Sequence, residues 1–219
     1  TGCADLNSIL QLKISTLTYK EKIILLFYSK SIQKYYLMPR EIIVLDIETT
    51  GLNPKEDLIL ELGMVKLSLE TGEITVLFDQ VFKDPKLTAK HRKAWIFENG
   101  FMQIEEIRNA LPISEYFDEI QSLLDPFKGQ ITAWNRDFDS AFLLKYGFDL
   151  GPQIKCPMKE SVDYFKIEGN YGYKWPKAQE AWDILFPDTP KVEEHRGLDD
   201  SKMEAAIIYE LYNKGHYIM

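Results

Sequence analysis

The segment from 41 to 46 constrains the fold most strongly, because it is a nearly continuous run of β-branched and apolar residues. Such a run is typical of a central strand that is buried on both faces of a sheet. Two further extended runs follow at 58–69 and 73–82, and Glu70-Thr71-Gly72 between them predicts a hairpin turn. The chain is therefore expected to place three strands first.

The second half of the chain predicts helices that alternate with a further strand. Apolar residues recur at helical spacing from 113 to 127 and again from 138 to 147, with a short strand expected at 131–134. A last helix is expected over 198–214, where Gly215 ends it. Strands followed by alternating helices and strands predict a layered α/β domain with a mixed sheet.

Length and charge indicate how the chain is divided. The 219 residues, 45% of them hydrophobic, suffice for one globular domain with its own core. The net charge is −8, yet residues 1–40 carry six basic and two acidic residues, a net charge of +4. We therefore expect the folded domain over residues 38–219 and a basic N-terminal extension or leader over residues 1–37. One hypothesis is that Met38 is the true start and that residues 1–37 are a leader, a remnant of expression or an over-extended reading frame. The other is an amphipathic extension that packs on the domain.

Cysteine usage and hydropathy exclude several classes of protein. Cys3 and Cys156 lie far apart and show no Cys-x-x-Cys or Cys/His spacing, which argues against a disulfide framework and a thiolate zinc site. The longest apolar run near the N-terminus, 23–28, is much too short to span a membrane, which takes about 20 residues. We therefore expect a cytoplasmic protein with no membrane partner.

Acidic side chains stand at the ends of several predicted elements. Asp46 and Glu48 lie two apart at the end of the first strand and so point to one face, where two carboxylates without a cation would repel each other. Asp139 begins the helix after the fourth strand, and Asp200 lies in the first turn of the last helix. His195 precedes that helix, and a histidine titrates near neutral pH, as a general base should. Together these residues could hold two divalent cations and activate a water for phosphodiester hydrolysis.

Each of these residues also has an ordinary structural interpretation. Asp139 and Asp200 are typical helix N-terminal residues, and His195 alone would be a loop histidine. Asp46 and Glu48 are harder to explain in this way, because a buried strand seldom ends in two acids without a partner. The combination, in this order and context, favours a hydrolytic metal site. The negative net charge does not exclude it, since bound metals reverse the local charge of an acidic site.

Three motifs carry a resemblance to a known family. They are Asp46-x-Glu48-Thr-Thr-Gly51, Asn135-x-x-Phe138-Asp139 and His195-x-x-x-x-Asp200. With these motifs, residues 41–214 resemble the DEDDh, or DnaQ-like, 3′-to-5′ exonucleases, a family that includes the proofreading subunit of the bacterial replicative polymerase. The resemblance implies a ribonuclease H-like three-layer α/β fold, in which helices flank a mixed five-stranded sheet. A histidine five residues before the last aspartate is typical of the histidine branch.

The resemblance also implies a role for each matching position. Two Mg²⁺ or Mn²⁺ ions would be held by four carboxylates, namely Asp46, Glu48, Asp139 and Asp200. His195 would deprotonate the attacking water, and the products would be nucleoside 5′-monophosphates. Contacts to the substrate are expected from Thr49, Thr50, Leu52, Asn99 and Asn135. The substrate would be the 3′ end of a single-stranded nucleic acid, with a DNA polymerase in trans as the partner for any proofreading role.

Two positions depart from the pattern of the family. The histidine often found before Asn135 is Trp134 here, and the His-Gly pair usual after the third strand is Asn99-Gly100. These departures leave the metal ligands intact and affect the contacts expected to the terminal nucleotide.

A loop in the last third of the chain combines aromatic residues with lysines. Its sequence is Tyr171-Gly-Tyr-Lys-Trp175-Pro-Lys177, a composition that can stack bases and hold phosphates. The favoured interpretation is a loop that Trp175 and Trp182 pack onto the following helix.

Other functions remain open beside the exonuclease. Asp46-x-Glu48-x-Thr50 faintly resembles the nucleophile motif of haloacid-dehalogenase-like phosphatases, although that reading leaves His195 without a role. A non-catalytic, polymerase-associated module is a further alternative. Within the exonuclease reading, DNA is the favoured substrate and RNA the alternative, because discrimination depends on how the pocket treats the 2′-hydroxyl.

Overall fold

Residues 41–217 are described by the computed structural model, and a five-stranded sheet organises them. Its strands are β1 (Glu41–Thr49), β2 (Ile59–Ser68), β3 (Ile74–Lys83), β4 (Leu111–Pro112) and β5 (Ile131–Thr132). They lie in the order β4-β3-β2-β1-β5; β1, β2 and β3 pair antiparallel, whereas β5 is parallel to β1 and β4 is parallel to β3. The expected mixed five-stranded sheet is confirmed. The expectation for residues 1–37 lies outside the described residues.

Eight α-helices and a small hairpin surround this sheet in the described part of the chain. The helices are α1 (Trp95–Glu98), α2 (Ile104–Asn109), α3 (Phe117–Leu124), α4 (Arg136–Lys145), α5 (Pro157–Glu160), α6 (Val162–Phe165), α7 (Ala178–Leu185) and α8 (Gly197–Asn213). Short 3₁₀ turns occur at His91–Lys93, Ile113–Tyr116 and Asp125–Phe127. The hairpin pairs β6 (Glu168–Gly169) with β7 (Gly172–Tyr173).

The two faces of β1 pack into two separate hydrophobic clusters, which gives the domain three layers. Ile42 and Val44 lie in a cluster with the buried side chains of α7 and α8. Ile43 and Leu45, which alternate with them, lie in a cluster with those of α3 and α4. Because side chains alternate along a strand, Asp46 continues the α8 face of β1. The acidic end of β1 is thus directed toward the last helix.

Two predicted elements are shorter or more broken than expected. β5 ends at Thr132 rather than at Trp134, because the Trp134 N–H leaves the sheet and donates a hydrogen bond to the buried carboxylate of Glu204 (3.0 Å). The helix expected over 113–127 is interrupted at Tyr116, whose backbone (φ −106°, ψ 4°) is not helical. Its ring instead packs edge-on against that of Phe78 from β3, 5.8 Å away.

The start of α8 contacts the sheet backbone to backbone. A Cβ atom placed on Gly63 in β2 would lie 2.1 Å from the carbonyl carbon of Gly197, the first residue of α8. A Cβ atom on Gly197 would lie 2.7 Å from the Gly63 nitrogen and 3.2 Å from the Asp46 carbonyl oxygen. Since the obstructing atoms belong to the main chain, no side-chain rotation could make room. The pair of glycines therefore fixes how closely α8 approaches β1 and β2.

Replacing Gly63 with alanine should destabilise the domain, because overpacking against backbone atoms forces α8 away from the sheet. We expect a loss of about 3 kcal/mol in the free energy of unfolding. Gly100→Ala is the matched control: nothing lies within 4 Å of its added Cβ, so only the positive φ of 78° is penalised, by about 1–2 kcal/mol. Urea unfolding followed by circular dichroism measures both values. A smaller loss for Gly63→Ala than for Gly100→Ala would contradict the role given to the glycine pair.

Candidate active site

The second acidic motif is hydrogen-bonded directly to the end of β1. Asp139 lies in the first turn of α4 and is buried, and its Oδ1 accepts a hydrogen bond from the Ile47 N–H (3.2 Å). Ile47 stands between Asp46 and Glu48 in the strand. The carboxylate of Asp139 is therefore held at the strand residue that lies between the two acids of the first motif.

The third motif is organised around the buried carboxylate of Asp200. Its two oxygens accept hydrogen bonds from the backbone N–H groups of Glu194 and Arg196, each at 3.1 Å. These residues flank His195, which adopts a left-handed backbone conformation (φ +53°) that is rare for a residue other than glycine. Asp200 thus clamps the backbone on both sides of the histidine.

This clamp brings the histidine to the acids of the other motifs. Single ligand atoms of Glu48, His195 and Asp200 all lie within 4.8 Å of one another. The imidazole is also enclosed edge-on by the rings of Trp95 (centroids 4.8 Å apart) and Phe101 (4.4 Å), which limit its rotation. The sequence predicted His195 and Asp200 together but gave no sign of the two aromatic neighbours.

Burial and mutual repulsion raise the pKa of the clustered carboxyls. Burial is the largest cause at each of them, and it raises the pKa of Glu48 and of Asp139 to about 8. The pKa of Asp46 lies well above its usual value for the same reason, with further increases from the charges of Glu204 and Glu48. The pKa of Asp200 is also raised by burial, although its backbone hydrogen bonds oppose the shift. Without a cation, Glu48 and Asp139 of the folded protein therefore favour the protonated form at neutral pH.

The donor set suits a hard divalent cation. Carboxylate oxygens are the ligands that Mg²⁺ and Mn²⁺ prefer, and a divalent charge would relieve the repulsion described above. Asp46, Glu48, Asp139 and Asp200 bring four such carboxylates to one end of the sheet, from β1, α4 and α8. The residues present therefore fit a metal centre.

A fifth carboxylate, missed by the sequence interpretation, lies behind this cluster. Glu204 is one helical turn after Asp200 on α8 and is buried; its Oε2 accepts the Trp134 N–H (3.0 Å). Burial is the main cause that raises its pKa well above the usual value, and the charge of Asp139 adds to it. The i, i+4 spacing from Asp200 was the only available signal, since it puts both acids on one helix face.

A buried ion pair ties the histidine segment to the sheet. The Arg196 guanidinium contacts both carboxylate oxygens of Glu61 in β2, with Nε–Oε2 at 2.9 Å, and its Nη1 lies 3.3 Å from Glu106 in α2. Glu61 faces Glu48 across the strand pair. Because the carboxylate of Glu61 is only 3% exposed, loss of Arg196 would leave a buried charge unpaired. The sequence interpretation did not identify either residue.

The turn after β1 carries three of the expected substrate contacts. The Thr49 hydroxyl donates to the Gly51 carbonyl (2.7 Å), and the Thr50 hydroxyl accepts the Leu58 N–H (2.9 Å), so both hydroxyls stabilise the turn itself. Leu52 is 85% exposed. Thr50 also borders a cavity that extends to Trp95.

The other two expected contacts lie on separate elements. Asn99 is exposed after α1, and its side-chain amide donates to the Trp95 carbonyl (2.9 Å). Asn135 is exposed at the N-cap of α4. The neighbouring Trp134 is 4% exposed, and its indole N–H donates to the Pro176 carbonyl (2.9 Å). The residue at the position of the family's histidine is therefore part of the core.

Comparison with known proteins is consistent with this geometry. Residues 43–208, about three-quarters of the chain, match the RNase_T family, whose description is exonuclease. The chain belongs to this exonuclease family. The resemblance inferred from the three motifs is confirmed, and the match does not favour the phosphatase alternative.

Two curated relatives of this exonuclease domain are much longer proteins. A DNA polymerase III of the PolC type from Clostridium perfringens is 29% identical over 191 residues, which cover 80% of this chain and 11% of the relative. The 3′-5′ exonuclease DinG of Bacillus subtilis is 28% identical over 179 residues, which cover 78% of this chain and 18% of the relative. The chain thus spans less than a fifth of either protein.

Among solved structures, the nuclease domain of 3′hExo shares the fold. That structure is described as a DEDDh family member bound to rAMP; it matches with a TM-score of 0.59 and 19% identity, over 82% of this chain and 95% of the other. The expected ribonuclease H-like fold is confirmed. Between residues 41 and 217, no helix is long and apolar enough to cross a bilayer.

The metal-free exonuclease domain should lose stability as the pH rises. A carboxyl with a raised pKa in the folded state holds its proton more tightly than in the unfolded chain. The free energy of unfolding therefore falls as the pH rises from the pKa of the unfolded chain to the folded value of about 8. We expect a fall of at least about 2 kcal/mol from pH ~5 to pH ~8 in EDTA, since one pKa unit corresponds to about 1.4 kcal/mol. Asp139→Asn, or saturating Mn²⁺, should flatten this dependence. Urea unfolding at a series of pH values tests it, and equal slopes with and without Mn²⁺ would refute it.

Two substitutions of Glu204 should distinguish the contribution of its hydrogen bond to stability from the contribution of its charge. Glu204→Ala leaves the buried Trp134 N–H without an acceptor, which should cost about 1–3 kcal/mol in the free energy of unfolding at pH ~7. Glu204→Gln keeps an acceptor oxygen and resembles the protonated acid, so we expect it to lie within about 1 kcal/mol of wild type. The same urea titration measures both variants. An equal loss for Gln and Ala would show that the carboxylate charge, not the hydrogen bond, is what matters.

Proposed function

We propose that this protein is a 3′-to-5′ exonuclease that hydrolyses single-stranded DNA by a two-metal mechanism. The observation that carries the proposal is the hydrogen bond between Asp139 and the Ile47 N–H, which joins the second acidic motif to the first. The close approach of α8 adds Asp200 and His195 to the same place. This arrangement supports the proposal that the hydrolytic groups lie together at one edge of the sheet.

In this proposal four carboxylates hold two Mg²⁺ or Mn²⁺ ions, and they are Asp46, Glu48, Asp139 and Asp200. Bound divalent cations would lower the pKa of a water and neutralise charge on the phosphate. Glu204 lies behind these acids and holds the Trp134 backbone instead. Its role is to keep α8 in register with the start of α4.

His195 is the general base of the proposed reaction. Its imidazole takes the proton from the attacking water, and the water oxygen then displaces the 3′ oxygen of the preceding nucleotide, which releases a nucleoside 5′-monophosphate. Trp95 and Phe101 hold the plane of the ring, and the Asp200 clamp holds its backbone. A fixed orientation of the base is what efficient proton transfer requires.

The terminal nucleotide is proposed to lie in the cavity between Thr50 and Trp95, whose lining also includes the basic residues Lys90 and Lys93. The turn after β1 forms one side of this cavity. Contacts to the nucleotide would come from Thr49, Thr50, Leu52, Asn99 and Asn135. Since the side chains of Thr49 and Thr50 already stabilise the turn, their backbone groups are the better candidates.

DNA is proposed over RNA because the PolC-type relative is named a DNA polymerase. The alternative is RNA, since the 3′hExo domain of the same fold was solved with rAMP. We further propose that residues 38–219 form the exonuclease domain, that it acts in the cytoplasm, and that any proofreading would require a polymerase in trans.

Digestion of matched oligonucleotides tests the function directly. Single-stranded DNA and RNA of one sequence, labelled at the 5′ end, should be shortened from the 3′ end with Mg²⁺ or Mn²⁺ and stay intact in EDTA. Asp139→Ala should abolish digestion, and His195→Ala should lower kcat by about 10²- to 10⁴-fold, the usual contribution of a general base. Gel analysis of the products also shows which sugar is preferred.

Asp199→Ala is the matched control for these variants. Asp199 is the neighbour of Asp200 in the first turn of α8, but its carboxylate forms a surface ion pair with Lys202 (3.8 Å). We expect its kcat to stay within about threefold of wild type. Digestion by Asp139→Ala at the wild-type rate would mean that the metal-site assignment is wrong.

A further inference from the structure

Three aromatic side chains form an exposed surface between α6 and α7, and we call Tyr171, Tyr173 and Trp175 the aromatic strip. Tyr171 is fully exposed in the turn of the β6–β7 hairpin, Tyr173 is 53% exposed and Trp175 is 59% exposed. Trp182 is buried, as expected. The expectation that Trp175 packs with it onto the following helix is wrong, because more than half of its surface meets solvent. Several large aromatic groups left exposed in one short segment are typical of a binding surface.

The strip is anchored beside the first turn of α4. The carbonyl of Pro176, next to Trp175, accepts the indole N–H of Trp134 (2.9 Å), which directly precedes Asn135. The Nζ of Lys159 lies 5.1 Å from the centre of the Trp175 ring and also forms an ion pair with Asp137. Asp137 is two residues before Asp139. A strand that leaves the metal centre along α4 would therefore meet the strip next.

The charge around the strip suits an anionic occupant. Residues 166–177 contain three lysines and one acid in a chain whose overall charge is −8, and Lys174 among them forms an ion pair with Glu180. Lys166 and Lys177 are exposed. Aromatic faces stack on bases of any sequence, and nearby ammonium groups attract phosphates. A protein partner would bury the rings without needing this local positive charge, so single-stranded nucleic acid is the better match.

We propose that the aromatic strip binds the single strand on the 5′ side of the nucleotide being removed. The proposal rests on the exonuclease function proposed above, because the 3′ end must occupy the metal centre for the rest of the strand to reach the strip. Bases stack on the exposed rings, and the lysines of the segment attract the phosphates between them. Long substrates are then held more firmly than short ones, while hydrolysis at the metal centre is unaffected.

The test compares binding of a long strand with hydrolysis of a minimal substrate. Affinity is measured in EDTA, by fluorescence anisotropy, for a DNA oligonucleotide of about 20 nucleotides, longer than the roughly 4–16 nucleotides that such surfaces cover. Hydrolysis is measured on the p-nitrophenyl ester of thymidine 5′-monophosphate with Mn²⁺, a substrate too small to reach the strip. The variants are Tyr171→Ala/Tyr173→Ala, Trp175→Ala and Trp175→Phe. Val76→Ala is the control, since Val76 is 47% exposed on β3, at the other side of the sheet from β5.

We expect the alanine variants to raise the Kd and the KM for the oligonucleotide by about fivefold or more for each ring removed. This is the size of effect that the loss of one base-stacking contact gives. Their kcat and their rate on the ester should stay at the wild-type values. Trp175→Phe should restore most of the affinity, because it keeps an aromatic face, and Val76→Ala should change nothing.

Two results would overturn the proposal. One is an unchanged Kd and KM in all alanine variants, which would leave a protein as the remaining occupant of the strip. The other is an equal loss on the oligonucleotide and on the ester, since a surface that only holds the strand cannot slow a substrate that does not reach it. If the wild type hydrolyses neither substrate, the proposed function fails. The binding measurement in EDTA still shows whether the aromatic strip binds the single strand.

Discussion

The contact between Gly63 and Gly197 is the constraint on which the rest of the active site depends. At this point two backbones touch with no side chain between them, so α8 reaches the surface of the sheet as closely as its main chain allows. The carboxylates of its first two turns, Asp200 and Glu204, are thereby brought over the end of β1, where Asp46 and Glu48 stand. A methyl group at either position would push α8 away from the sheet and separate these acids. The geometry of the site therefore requires glycine at both positions.

That close approach concentrates like charges, and the surrounding structure has to hold them together. The opposing contributions are mainly hydrogen bonds: the Ile47 N–H for Asp139, two backbone N–H groups for Asp200 and the Trp134 N–H for Glu204. At Asp200 the charge of His195 adds to them. The cationic side chain of Arg196 is directed to Glu61 instead. The fold therefore orients the acids by hydrogen bonds, and a divalent metal ion would replace the protons that Glu48 and Asp139 hold in its absence.

Periodicity and motif order allowed much of this to be predicted, because both are properties of a local stretch of chain. The alternation in β1 placed Asp46 and Glu48 on one face, and the helical pattern over 198–214 placed Asp200 in a first turn. The features that escaped prediction all depend on a distant partner. Glu204 matters because of Trp134, 70 positions away in sequence, and Arg196 because of Glu61, 135 positions away. No pattern along the chain reports such pairs.

Trp134 shows how such pairs limit the ways in which the site can change. Its main-chain N–H binds Glu204, its main-chain carbonyl accepts the Met158 N–H (3.3 Å), and its indole N–H binds Pro176. A histidine at this position would keep a ring N–H able to reach the Pro176 carbonyl, because Nε2 of an imidazole and Nε1 of an indole occupy the same place in a five-membered ring. It would leave a gap in the core where the six-membered ring of Trp134 lies, so the exchange would require neighbouring side chains to fill that gap, and its cost depends on the residues around Pro176 as well as on the position itself.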